Sequence, residues 1–184
     1  IERDENRVSA ISWLESYFRI AGLSDLEYPV EGPIDARRQL LLNRIQFKKM
    51  MDKISSSVSS DETRHSLNGI LISIREGTFT TVATDGRRLA LVETFLDLDA
   101  SLDGDIILPL KAVNELHKLL STDGEVNLHF GEARAEFTID DTTLRTKLID
   151  GSFPNFRQVI PSNFTQQIEI PRVALSDALH RVPL

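Results

Sequence analysis

The chain has 184 residues, of which 41% are hydrophobic, and carries a formal net charge of −7 from 28 acidic and 21 basic residues. This length and composition are enough for one or two domains with a buried core, while the acidic balance argues against a protein coated in nucleic-acid-binding surface. Cysteine is absent, which excludes disulfides and thiolate metal sites. No long uncharged apolar run or signal pattern is present, so we expect an intracellular protein with no membrane span.

A weak internal repeat runs through the chain. Residues 40–47 lead from a strand-like stretch into a helix-like pattern, and residues 168–175 do the same about one domain length later. A second echo relates residues 17–29 to residues 143–154 with a one-residue gap. Repeats of this kind indicate that one structural unit recurs along the chain.

The repeat predicts how the chain divides into domains. It predicts the tail of a first domain at residues 1–38, a complete central domain at residues 39–165 and the head of a third domain at residues 166–184. Because the chain opens on Ile1 and stops soon after a helix-like pattern begins, we expect a segment of a longer protein.

Apolar spacing predicts the elements of the central domain. A first helix is predicted from Phe47 to Val58, and a second one, with His117 in its apolar set, from Leu110 to a stop at Asp123-Gly124. Alternation predicts strands at residues 70–74, 79–83, 89–91, 105–108, 126–130, 135–139 and 144–148, with turns at Asp85-Gly86, Gly131-Glu132 and Asp140-Asp141. The result is an α+β unit with mostly antiparallel strands and two helices on one face.

Enzymatic motifs are missing from the sequence. It contains no Gly-rich phosphate loop, no zinc-binding His-Glu-x-x-His and no Gly-x-Ser-x-Gly elbow. Asp85 and Asp140-Asp141 are better explained as turn residues, because neighbouring strand positions point to opposite faces. The histidines show no metal-ligand spacing: His65, His117, His129 and His180. We therefore predict a non-enzymatic protein without metal or cofactor; catalysis by Asp85 or Asp140 is the least supported alternative.

Positive charge is concentrated on the polar faces of the two predicted helices. On the first helix Asp52 is the acidic residue among several basic ones, and on the second Glu115 shares the exposed face with lysines. Such lysines bind phosphate without sequence preference, yet they also serve solubility alone, and the pattern leaves both explanations open. On the first helix we expect Lys49 and Lys53 on the exposed face, with Arg44 and Lys48 on its flank; the lysines of the second helix are Lys111 and Lys118.

Two arginines, Arg87 and Arg88, stand between the Asp85-Gly86 turn and an apolar strand. Arginines at this position either guard a sheet edge or form the basic rim of an apolar groove for a short hydrophobic peptide. In the second case Leu67, Pro154 and Val159 would complete the groove. The pattern alone does not choose between the two.

Three motifs follow one another at residues 64–69, 83–90 and 150–157. Residues 83–90 resemble the Ala-Thr-Asp-Gly-[His/Arg]-Arg-Leu-Ala motif in the middle domain of bacterial beta sliding clamps, and Arg64 with residues 67–69 resembles that family's Arg-x-x-Leu-Asn-Gly. Residues 150–157 resemble Asp-Gly-x-[Phe/Tyr]-Pro-[Asp/Asn]-[Tyr/Phe]-Arg. One departure is His-Ser at residues 65–66, where many members carry an aromatic pair beside the DNA. The flanking stretches are similar to the end of the first and the start of the third clamp domain.

The resemblance implies a fold and a function. The expected fold is the DNA-clamp fold, with antiparallel sheets outside, two helices per domain lining a pore, and two subunits closing a ring. The expected function is that of a cytoplasmic, nucleoid-associated processivity factor, which encircles duplex DNA and is not itself an enzyme. Its expected partners are the replicative polymerase alpha subunit, the clamp loader, other polymerases and mismatch-repair proteins. The alternative is a DNA-independent peptide-binding module, an incomplete clamp that cannot close a ring.

The resemblance also assigns two sets of residues. The partner-peptide pocket is expected to consist of Leu67, Thr84, Gly86, Arg87, Arg88, Leu89, Pro154 and Val159. The DNA-facing residues are expected to be Lys48, Lys49, Lys53, Arg64, Lys111 and Lys118.

Overall fold

The computed structural model describes residues 2–3, 8–22, 32 and 38–182, and the chain divides into compact units at residues 1–35 and 36–184. The first unit contains an antiparallel sheet of three strands in chain order, β1 (Glu2–Arg3), β2 (Val8–Trp13) and β3 (Ser16–Ala21). Residues 28–29, which contributed to the predicted repeat, lie outside the described residues.

The second unit contains two antiparallel sheets of four strands each. In chain order its strands are β4 (Arg38–Asn43), β5 (Gly69–Arg75), β6 (Thr78–Thr84), β7 (Leu89–Phe95), β8 (Gly104–Pro109), β9 (Glu125–Phe130), β10 (Arg134–Ile139) and β11 (Thr142–Lys147). The strand order is β11-β10-β9-β4 in one sheet and β7-β6-β5-β8 in the other. This architecture confirms the predicted α+β class with antiparallel strands.

Residues 38–182 of this unit contain three α-helices: α1 (Arg44–Ser55), α2 (Leu110–Leu119) and α3 (Arg172–Arg181). Helix α1 begins where the Asn43 side chain accepts a hydrogen bond from the Gln46 amide at 3.0 Å, which satisfies one of the free N–H groups of the first turn. The predicted helix ends were too late, because Val58 lies beyond α1, and α2 stops before Asp123-Gly124.

One hydrophobic core joins both sheets to α1 and α2. At its centre the Phe47 ring of α1 meets the Phe79 ring of β6 edge to face, with ring centroids 6.1 Å apart. The same ring stacks on Phe137 of β10 at 6.2 Å. Aromatic pairs at these separations contribute beyond their buried area, so this trio connects the helix to both sheets.

The outer face of the β7-β6-β5-β8 sheet is also covered. A second cluster, formed by Leu71, Val82, Ile107 and Phe156, is buried there. The strand at residues 70–74 was predicted from Ile70, Ile72 and Ile74 with polar residues between them, and this alternation was wrong at Leu71, which is apolar and buried. Phe156 comes from the segment that follows β11, and its packing makes both faces of the sheet apolar.

The prediction that Arg44 flanks the basic helix face was wrong. Its side chain is buried, Nη1 donates to Asp140 Oδ2 at 2.9 Å, and Nε donates to the Glu125 carbonyl at 2.8 Å. Asp140 occupies the β10–β11 turn with a φ of 51°, so the turn prediction was right but its partner was missed. The hydrogen bond with Asp140 raises the pKa of Arg44, and the same bond lowers the pKa of Asp140.

Replacing Phe47 with alanine is expected to destabilise the fold by about 3–5 kcal/mol, because the change leaves a cavity between the two sheets. The matched control is Phe95→Ala, since that side chain is 74% exposed; we expect it to change the stability by less than about 0.5 kcal/mol. Urea unfolding followed by circular dichroism measures both variants. Equal losses in the two would contradict the central position of Phe47.

The Arg44–Asp140 pair predicts a dependence of stability on pH. The pKa of Asp140 is lowered from 3.8 in the folded state, so the pair stabilises the fold above that value and is lost as the carboxylate takes a proton in acid. We expect Asp140→Asn to be less stable than the wild type at neutral pH and to lose less stability between about pH 5 and about pH 2. Thermal unfolding across this range tests it, with the exposed neighbour variant Asp141→Asn as control. Identical pH profiles for Asp140→Asn and wild type would refute the assignment.

Candidate functional site

A cavity of about 330 Å³ opens beside the turn between β6 and β7. It draws residues from stretches that are far apart in the chain, namely the segment before β5, the β6–β7 turn and the segment after β11. Its walls contain all eight residues predicted for the pocket: Leu67, Thr84, Gly86, Arg87, Arg88, Leu89, Pro154 and Val159. We refer to this cavity as the groove.

Asn155 and Phe156 also line the groove and were missed from the sequence. Both belong to the motif at residues 150–157, directly after Pro154, so the signal was present in the motif itself. Phe156 is 9% exposed and packs on the outer face of the sheet, which joins the groove floor to the second hydrophobic cluster.

Local hydrogen bonds fix the shape of the β6–β7 turn. The Asp85 carboxylate accepts from the amides of Arg87 at 2.9 Å and Arg88 at 3.0 Å, and from Arg88 Nε at 3.2 Å. The Thr84 hydroxyl donates to the Arg88 carbonyl at 2.7 Å. The amide bonds from Arg88 and then Arg87 lower the pKa of Asp85. Asp85 therefore acts as the organiser of this turn.

Gly86 allows the turn to pass close to Arg64. Its φ is +85°, a conformation that favours glycine, and a Cβ at this position would lie 2.8 Å from Arg64 Nη1. Arg64 also pairs with Asp61, with Nε 2.9 Å from Oδ2. The structure thus places Arg64 against the groove turn and on neither α1 nor α2. Its assignment to the DNA side stays a prediction.

The groove has an apolar floor and a basic rim. Leu67 is 6% exposed, and Leu89 packs on the second hydrophobic cluster. At the rim the Arg88 side chain is 65% exposed and Arg87 is exposed as well. Val159 is also exposed, so the wall on its side has no cover among the described residues. A ligand with apolar side chains and an acidic or polar flank would suit this arrangement.

The predicted DNA-facing lysines lie on two helices that pack against each other, α1 and α2. Lys49 and Lys53 of α1 are exposed, as are Lys111 and Lys118 of α2, whereas Lys48 is half-buried. Lys118 Nζ lies 2.9 Å from Glu115 Oε1, so part of its charge is offset on the same helix. We refer to this exposed surface of α1 and α2 as the helix face.

The prediction that His117 belongs to the apolar set of the second helix was wrong. Its side chain is about half exposed, and its Nε2 lies 2.7 Å from Asp52 Oδ1 of α1. The reason is the contact between the helices, which brings a carboxylate next to this position. Asp52, predicted to oppose the lysines, is therefore paired with a histidine of the other helix.

Metal and membrane sites receive no support from the described parts of the chain. Within residues 2–3, 8–22, 32 and 38–182 no group of three or more histidine, cysteine or acidic side chains is placed to hold a metal ion. None of the helices in those ranges is both long enough and apolar enough to cross a bilayer.

The fold places the chain in the class of DNA sliding clamps. Residues 41–155 match the family model described as DNA polymerase III beta subunit, central domain. Since the match covers more than half of the chain, the chain belongs to the DNA polymerase III beta subunit family.

Relatives and solved structures that resemble the chain agree with this. The beta sliding clamp of Chlamydia muridarum is 33% identical over the whole chain, which covers 50% of that relative. The clamp of Pseudomonas aeruginosa is 29% identical over 92% of the chain and 46% of the relative. The crystal structure of the Bartonella birtlesii clamp bound to griselimycin matches with a TM-score of 0.87 and 30% identity. The match covers 97% of this chain and 49% of the Bartonella birtlesii chain. The chain spans about half the length of the curated relatives it matches.

Proposed function

We propose that this segment works as the middle part of a sliding clamp that encircles duplex DNA without sequence preference and tethers replication proteins through the groove. The observation that carries the proposal is the convergence of all eight predicted pocket residues on one cavity. Family membership supports the same function. The proposed domain limits are residues 1–38, 39–165 and 166–184, and the second of these contains the matched range.

The groove is proposed to bind a short hydrophobic peptide. Its volume of about 330 Å³ lies at the lower end of ligand pockets and suits a few anchoring side chains. Leu67 and Phe156 offer apolar contact, while Arg87 and Arg88 can hold the polar flank of the peptide. The proposed partners are the polymerase alpha subunit, the clamp loader, other polymerases and mismatch-repair proteins. The clamps of Bartonella birtlesii and Pseudomonas aeruginosa were solved bound to griselimycin, and we propose that this groove takes it too.

The helix face is proposed to face the phosphate backbone inside a ring formed by two subunits. Flexible lysines attract phosphates without fixing a register, which is what sliding requires. The whole chain has a net charge of −7 although it includes these lysines, so the attraction of phosphate is local to this face. These lysines favour a clamp over a DNA-independent peptide module.

An accessory role without catalysis is proposed for the same protein, in the cytoplasm. The two carboxylates considered for chemistry both have structural partners: Asp85 holds the groove turn, and Asp140 pairs with buried Arg44. Each has its pKa lowered by these partners, whereas a general acid or base near neutral pH needs a raised one.

Truncating the groove floor is expected to weaken ligand binding. Leu67→Ala should lower the affinity for griselimycin on the order of tenfold to a hundredfold, because it removes a buried central contact. Arg88→Ala should also lower it, by removing part of the rim. Leu41→Ala is the matched control, since Leu41 is 55% exposed on β4 and does not line the groove. Isothermal titration calorimetry measures the affinity; unchanged binding in both groove variants would refute the site.

The proposed encirclement of DNA is tested by loading the full-length protein that contains this segment on nicked circular DNA. We expect retention on the circle and release when the DNA is linearised. Lys49→Glu with Lys53→Glu should shorten the retention and reduce its salt dependence, because phosphate contacts are lost. Lys147→Glu, an exposed lysine on β11, is the charge-matched control for Lys49→Glu and Lys53→Glu measured one at a time. Equal release from circular and linear DNA would rule out encirclement.

A further inference from the structure

A contact between a histidine and a carboxylate joins the exposed sides of the two helices of the helix face. Asp52 Oδ1 of α1 lies 2.7 Å from His117 Nε2 of α2, and the side chains are 47% and 48% exposed. Asp52 follows half-buried Lys48 by one helical turn, and His117 directly precedes Lys118. The pair therefore lies among the lysines that are proposed to attract phosphate.

The charged side chains of the strands that pack against the two helices already have partners. Helix α1 also packs on β4, β6 and β7, and α2 packs on β5 and β8. Strand β6 has no charged residue. The charged side chains of the other strands are engaged elsewhere: Arg38 over the Phe130 ring, Glu93 with Arg157, and Arg75 with Asp105. On α2 itself Glu115 binds Lys118. Among the described residues, Asp52 and His117 are thus each other's ionic partners.

The charge of this pair depends on the proton of the histidine. Histidine is the side chain that ordinarily gains or loses its charge in the neutral range. When His117 is protonated, its positive charge offsets Asp52. When it is neutral, the negative charge of Asp52 is left among the lysines and weakens the attraction of phosphate.

We propose that the Asp52–His117 pair makes the DNA affinity of the helix face depend on pH, with tighter binding when the histidine carries a proton. The inference rests on the proposed clamp function. Asp52 and His117 are positioning residues here, because they act by setting the charge beside the lysines and need not contact the DNA.

The test measures binding of a short fluorescent duplex by the full-length protein at low salt, using anisotropy. Between about pH 8 and about pH 6 the wild type should gain roughly twofold to fivefold in affinity beyond any gain in His117→Gln, a range set by the strength of exposed ion pairs. Glutamine can still donate a hydrogen bond to Asp52, so this variant removes the charge and keeps the helix contact. His129→Gln on β9 is the matched control and should keep the wild-type profile.

A second variant separates charge from folding. Asp52→Asn should bind DNA more tightly than the wild type at about pH 8, because no negative charge is left there. Identical pH profiles for the wild type and His117→Gln would overturn the inference. Retention on circular DNA, measured in parallel, distinguishes the two proposals: retention with identical profiles overturns only the pH dependence, whereas loss of retention at every pH overturns the clamp function itself.

Discussion

The contact of Phe47 with Phe79 and Phe137 is the interaction on which the rest of the second unit depends. It fixes α1 against β6 of one sheet and β10 of the other. The lysines of α1 are presented outward because its opposite side is buried in this core. Strand β6 ends at the turn that forms the groove, so the same contact also positions the start of the groove. The helix face and the groove thus share one structural origin.

Two polar contacts complete what the core begins. The Arg44–Asp140 pair ties the first residue of α1 to the β10–β11 turn, and the Asp85 hydrogen bonds set the path of the groove turn. Each uses a carboxylate whose pKa is lowered by its partners, so both are charged at neutral pH. Some carboxylates of this acidic chain therefore stabilise its fold through hydrogen bonds and ion pairs.

Much of the fold could be predicted because its signals are local. The alternation of apolar residues predicted β9 and β10, and the helical spacing of Phe47, Met51 and Ile54 predicted α1. The failures at Arg44, Leu71 and His117 involve contacts with residues that are far apart in sequence. Arg44 and Asp140 are 96 positions apart, so helical periodicity placed Arg44 on the exposed flank without knowledge of its partner.

The same distinction explains His117, Leu71 and the groove. The residues around His117 in the sequence do not indicate that a carboxylate on another helix lies beside it. In the same way, the residues around Leu71 do not indicate that the segment after β11 covers it. The groove residues were found through motif resemblance, since periodicity has no information about which loops meet. Motif resemblance thus predicted the groove residues, whereas the spacing of apolar residues predicted only the strands and helices.

The distribution of charge is the physical link between fold and proposed function. A ring that must move along DNA needs attraction that is strong enough to retain phosphates and too weak to fix a register. In the proposed clamp, a few flexible lysines on two packed helices would meet this need, and Glu115 and Asp52 on the same face would limit the attraction further. The acidic remainder of the chain does not compete for the backbone. The charges of this face therefore suit moderate rather than maximal affinity for DNA in the proposed clamp.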